Sequence, residues 1–164
     1  MPHEHGSVRE GIIAGVIGAT AVAVWFLIVD IVSHHGMLYT PRVLGTAAFS
    51  VFGDTTRDGG VVHIVTYTIL HYAAFIVTGI IASAVVHKAE VEPSVLVVFT
   101  LLFIIFELGF YGLTAILAET TLRTLAWYQV AVGNLLAAVT MGLYLWRTHP
   151  ALRQEFAHAL GGDE

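Results

Sequence analysis

The chain contains no cysteine. Disulfides, thiolate nucleophiles and Cys-ligated metals are therefore excluded, and the redox compartment cannot be read from cysteine usage. Charge is also scarce. Asp, Glu, Lys and Arg make up 12% of the 164 residues, about half the share found in soluble domains. Seven Lys and Arg are scattered along the whole length, so no basic patch exists to hold nucleic acid. Proline occurs four times, at 2, 41, 93 and 150, never inside a long apolar run. The absence of internal breaks argues against the discontinuous helices of alternating-access transporters.

Apolar sequence is what remains. Hydrophobic residues form 57% of the chain and the mean hydropathy is +0.80, which makes the bilayer its principal solvent. Four stretches reach the twenty or so residues needed to cross the hydrocarbon core: about 11–32, 61–86, 94–117 and 125–146. Lipid offers the backbone no hydrogen-bond partner, so these stretches are expected to be helices. The first is longer than a signal-peptide core and its start, MPHEHGSVREG, is mixed in charge, so cleavage is not expected. Between the first two spans, Thr40 and Pro41 form a helix start, and 41–52 is too short to cross and reads as an interfacial or re-entrant helix. Pro150 opens a short surface helix over about 150–160. The predicted fold is thus all-α, a single four-helix transmembrane bundle. Gly11 and Gly15, followed by Gly18 and Ala19, and the pairs Gly133–Ala137 and Ala138–Gly142 have the spacing of close helix contacts. The side bearing the termini holds Arg9, Lys88, Arg147 and Arg153 against Arg42, Arg57 and Arg123 on the other, which by a narrow margin puts the termini in the cytoplasm.

Polar residues within the spans carry the functional reading. Glu107 lies within about one turn of the midplane, and His71 and Asn134 fall at a similar level. Thr100, Glu107, Tyr111 and Thr114 line one face of the third span; His63, Tyr67, His71 and Thr78 line one face of the second. An ionised carboxylate at mid-bilayer costs at least about 2.5–3.5 kcal/mol, which a contact with His71 would offset. The sequence therefore predicts a buried polar centre of His71, Glu107 and Asn134 with Tyr67 and Tyr111 as neighbouring donors. It serves either as a register-fixing hydrogen bond or as a proton, ion or ligand site. A second group, Asp30 and His34 at i, i+4 with His63 at the matching level, has the residue types of a divalent-metal set. Haem is disfavoured because only His71 is deep and no facing helix offers a second axial histidine. No residue can be assigned a catalytic role.

The segments WFLIVD at 25–30, TPRVLG at 40–45, LHYAAF at 70–75, FELGFYG at 106–112, VGNLLAA at 132–138 and WRTHPALR at 146–153 resemble small bacterial membrane proteins of four spans. The resemblance covers nearly the whole chain and implies a multi-pass protein of the bacterial inner membrane; it implies no activity. Three functions fit these residues. The first is a binding or accessory subunit of a larger membrane complex. The second is a small proton, ion or solute transporter acting as a homo-oligomer. The third is a metal-dependent membrane enzyme using Asp30, His34 and His63.

Overall fold

The computed structural model describes residues 4–51, 60–92, 94–97, 99–101, 103–104 and 127–150. Most of the predicted third span, with Glu107 and Tyr111, and nearly all of the predicted C-terminal helix lie outside them. The architecture is an all-α bundle: α1 (Glu4–Val32), α2 (Tyr39–Val51), α3 (Val61–Ala89) and α4 (Trp127–Thr148). Residues 94–97, 99–101 and 103–104 are also helical. Among the described residues three helices are long and apolar enough to cross a membrane, at Gly6–Val32, Val61–Ala89 and Tyr128–Thr148. The expected short helix stands between the first two.

α1 is the hub. It packs most extensively on α3 and then on α4, while α2 lies against α3. Its buried face runs through Gly11, Ala14, Gly15, Gly18, Ala19, Val22, Phe26 and Asp30, a stripe with a spacing of three and four. Small residues in the first half of that stripe let α3 approach to backbone contact. A Cβ on Gly11 would strike the backbone of Gly79 and Ile80; one on Gly15 would strike Phe75 and Ile76. On α3, Gly79 is the reciprocal gap, closed against Gly11 and Gly15. In lipid no hydrophobic force drives helices together, so close van der Waals contact and buried hydrogen bonds must do it. Further along, Ala19 meets His71 and Thr20 meets Tyr72, in antiparallel register.

α4 packs along α1 from Ala14 to Phe26. Val22, Phe26 and Ala137 form one buried cluster; Ala14, Met141 and Leu145 form another. The Trp25 indole donates to Gln129 O at 2.8 Å. Of the predicted small pairs on this helix, Gly133 abuts Trp25 and Phe26, whereas a Cβ on Gly142 would meet nothing within 4 Å. Leu135 and Leu143 on α4, like Ile69 and Val77 on α3, are exposed, as lipid-facing side chains are.

The α1–α2 corner explains Asp30, His34 and Thr40. α1 ends with His34 in the left-handed region (φ 57°), and His35 N–H bonds back to Asp30 O at 2.9 Å, the closure of a Schellman-type cap. Asp30 is 2% exposed. Its Oδ2 accepts from Thr40 N–H at 2.9 Å and its Oδ1 from the Thr40 hydroxyl at 2.7 Å. Thr40 was expected to cap α2 itself; instead it donates, and the capping acceptor comes from α1. His34→Gly should therefore stabilise the chain by about 1 kcal/mol, because glycine adopts this conformation without the Cβ penalty. Thermal melting in detergent checks this; a loss of stability would show that the imidazole does more than end the helix.

Candidate metal centre

Helices α1, α3 and α4 each bring one ionisable group to the same end of the bundle. The register just described sets this. α1 runs antiparallel to both partners, so Glu10 near its start faces the last turn of α3 and the end of α4. At 1.5 Å per residue, these positions fall near the boundary of the hydrocarbon core rather than at its centre. Glu10, His87 and His149 each offer one donor atom there, all within 4.8 Å of one another.

Each imidazole is turned back along its own helix. His87 Nδ1 donates to Ser83 O at 2.9 Å and His149 Nδ1 to Leu145 O at 3.0 Å. A carbonyl only accepts, so both Nδ1 atoms carry the proton. That leaves the lone pair of His149 on Nε2, which lies 3.3 Å from His87 Nδ1 with the rings edge to face, centroids 4.5 Å apart. With the protons so placed, the Nδ1 atoms that face Glu10 are N–H donors and His149 Nε2 accepts from His87 Nδ1, so an ion would have to displace these contacts to reach the ring lone pairs.

Glu10 supplies the charge. Its Oε1 is 3.4 Å from His149 Nδ1 and its Oε2 is 3.9 Å from His87 Nδ1. Ser83, fully buried, donates its hydroxyl to Glu10 Oε2 at 3.4 Å and lies 3.3 Å from the Ser7 hydroxyl. Glu90 adds a second carboxylate, with Oε1 3.9 Å from His149 Nε2. Side-chain exposure grades across the site: 5% for His149, 14% for Glu10, 35% for His87. Among the described residues the ion-pair partners of Glu10 are these two imidazoles. A carboxylate so enclosed is stabilised by a cation or by hydrogen-bond donors beside it.

In a tetrahedral zinc site with bonds near 2.0–2.1 Å, neighbouring donors stand roughly 3.3 Å apart. The donor set here has to contract by up to about 1.5 Å to match, a movement within reach of side-chain rotation. Two imidazoles and a carboxylate, with no thiolate, suit zinc, iron or manganese better than soft Cu(I).

The residues singled out from sequence are placed differently. Asp30, His34 and His63 do not form such a group; Glu10, His87 and His149 are the set that does among the described residues. Both Asp30 oxygens are engaged by Thr40, His34 is exposed, and His63 is buried against Phe49 and the backbone of Gly45. His71 donates Nε2–H to Ala19 O at 3.1 Å. A carbonyl has a second lone pair even within a helix, so among the described residues half-buried His71 finds its partner in a main-chain carbonyl, while Glu107 lies outside them. Tyr67 stacks on His71 at 5.8 Å, and Asn134 is half-buried on α4. The polar cluster that the described residues show is thus Glu–His–His at one end of the bundle rather than His–Glu–Asn at its middle.

The chain matches no protein-family model, no curated protein and no solved structure. Its function must be read from the site.

Proposed function

We propose that the protein is a membrane-integral metalloprotein that holds one divalent ion of the zinc class between Glu10, His87 and His149, and that it acts as a metal-dependent enzyme at the bilayer surface. The observation that carries this reading is the convergence of three donors from three helices within 4.8 Å. Two histidines and one glutamate are the protein ligands of a familiar type of catalytic zinc site, in which the fourth position is left to water or substrate. Bound there, an ion would polarise a carbonyl or phosphoryl oxygen or acidify a water. The protein's own contribution is orientation. Ser83 O and Leu145 O fix the imidazoles, the Ser83 hydroxyl steadies Glu10, and Glu90 stands within reach to take up a proton.

A second reading has its own support. Glu10 and His149 are the more enclosed members of the set, which favours an ion that staples three helix ends together. This is the accessory or structural role in metallated form.

Metal titration of the purified protein tests both. One equivalent of Zn²⁺ or Co²⁺ should bind, and metal at one hundred times its Kd should stabilise the fold by about 2.7 kcal/mol, reversed by chelator. Glu10→Gln and His149→Gln should weaken binding at least ten-fold, whereas His34→Ala should leave it intact. Equal metal retention in His149→Gln and wild type, or none in either, sinks the proposal. In the Co²⁺ form, a shift of the visible bands on adding azide marks an exchangeable position and favours the enzyme; unchanged bands favour the staple.

A further inference from the structure

A cavity of about 340 Å³ opens between α1, α2 and α3, away from the metal cluster. Its walls are mainly apolar, with Phe26 and Leu27 among them, and Tyr67 and His71 are among the polar residues that line it. No Lys or Arg lines it among the described residues, and one carboxylate, Asp30, does. An anionic head group therefore finds no partner here. Asp30 is itself enclosed and already paired with Thr40.

The hydrogen-bonding capacity on offer is specific. His71 Nε2 is spent on Ala19 O, which fixes the tautomer and leaves Nδ1 as an acceptor. The Tyr72 hydroxyl is paired with Thr20, whose own proton goes to Val16 O. Tyr67 brings a phenol hydroxyl, able to donate or accept. A ketone or ester would satisfy Tyr67 alone, because neither can donate to an imidazole lone pair. A hydroxyl satisfies both.

We propose that this cavity binds a neutral hydroxyl-bearing lipid, its hydroxyl between Tyr67 and His71 and its hydrocarbon along the Phe26–Leu27 wall. The volume lies at the small end of the range for ligand sites. It takes a head group and the first part of a chain, the rest passing through the open side into the bilayer. Lipid alcohols of the isoprenol type and reduced quinone-type phenols share this chemistry.

The test uses full-length protein in lipid nanodiscs, with ligand occupancy read by native mass spectrometry. Geranylgeraniol and 4-nonylphenol are each compared with their O-methyl ethers, which keep the shape and lose the proton. One alcohol or phenol per chain should bind saturably, at least ten-fold tighter than its ether. Preference for the phenol identifies a quinol-type ligand and preference for the isoprenol a lipid alcohol; either supports the site. Ala23 lines the cavity and is exposed, so Ala23→Phe should fill it and abolish binding, and Tyr67→Phe should weaken binding several-fold. Equal binding of alcohol and ether by the wild type, no saturable binding of either, or full binding in a folded Ala23→Phe variant overturns the proposal. The wild-type comparison requires no substitution, so it stands even where a variant fails to fold.

Discussion

Gly15→Leu should abolish the folded bundle. The first added carbon would lie on the backbone of Phe75 and Ile76, 2.8 Å from the Ile76 nitrogen, and main-chain atoms of a neighbouring helix cannot swing aside as a side chain can. The alternatives are to push α3 away from α1, which also opens the Gly11–Gly79 contact, or to leave the helices apart. Overpacking of a dense interface costs about 1–3 kcal/mol where side chains absorb it; here the backbone must, and the expected loss exceeds that range. Helices of this hydropathy remain inserted even when they do not associate. Helical circular dichroism should therefore persist while the cooperative thermal transition disappears. Gly142→Leu is the matched control: nothing lies within 4 Å of a Cβ there, and its stability should stay within about 0.5 kcal/mol of wild type. A Gly15→Leu protein that melts like the parent would show that α1 and α3 do not pack in this register.

Asp30→Ala should destabilise the chain by about 2–4 kcal/mol. The substitution strands two donors, the Thr40 amide and hydroxyl, at a position where Thr40 and Asp30 are each 2% exposed. Hydrogen bonds to a charged group contribute roughly 1.5–3 kcal/mol, and a buried donor left unmet costs its full desolvation. Asp30→Asn keeps one acceptor oxygen and should recover part of the loss. Because the carboxylate ties the start of α2 to the end of α1, amides of α2 should exchange with deuterium faster in the alanine variant while those of α4 do not. Metal binding should be unchanged in both. A stability change below about 0.5 kcal/mol would mean that α2 is held by other contacts. Loss of bound metal would return Asp30 to the ligand role its spacing suggests.

The spans, the short helix after the first and the small-residue face of α1 were legible because they rest on local patterns: run length, a Thr-Pro start, and glycine every fourth residue. What the pattern of α1 could not name was its partner. Gly79 sits alone on α3 without a GxxxG companion, and only the antiparallel register pairs it with Gly11 and Gly15. The bond from Asp30 to Thr40 escaped for a related reason. Aspartate at the end of a helix invites a search for ligands at i+4, whereas its partner stands ten residues on, after a reversal made by His34.

The Glu–His–His cluster was hidden by distance along the chain. His87 and His149 are 62 residues apart, just beyond the ends of the second and fourth predicted spans, and no motif connects them. One signal was present in the sequence: Glu10, His87 and His149 all fall at span ends on the side bearing the termini. An ionisable group costs most at the midplane, so the energetic argument points there and to Glu107, which lies outside the described residues. His71 illustrates the limit of that energetic argument. An imidazole in an apolar helix needs a partner, and a main-chain carbonyl supplies one without leaving any trace in side-chain spacing.

The three donors also impose an order on biogenesis. Glu10 enters the translocon early and His149 leaves the ribosome only after the other described helices have been made, so the Glu10–His87–His149 set is complete only once α4 has joined its predecessors. Were the proposed site to bind an ion, loading would report completed assembly, and a chain truncated upstream of His149 would lack one of the three donors.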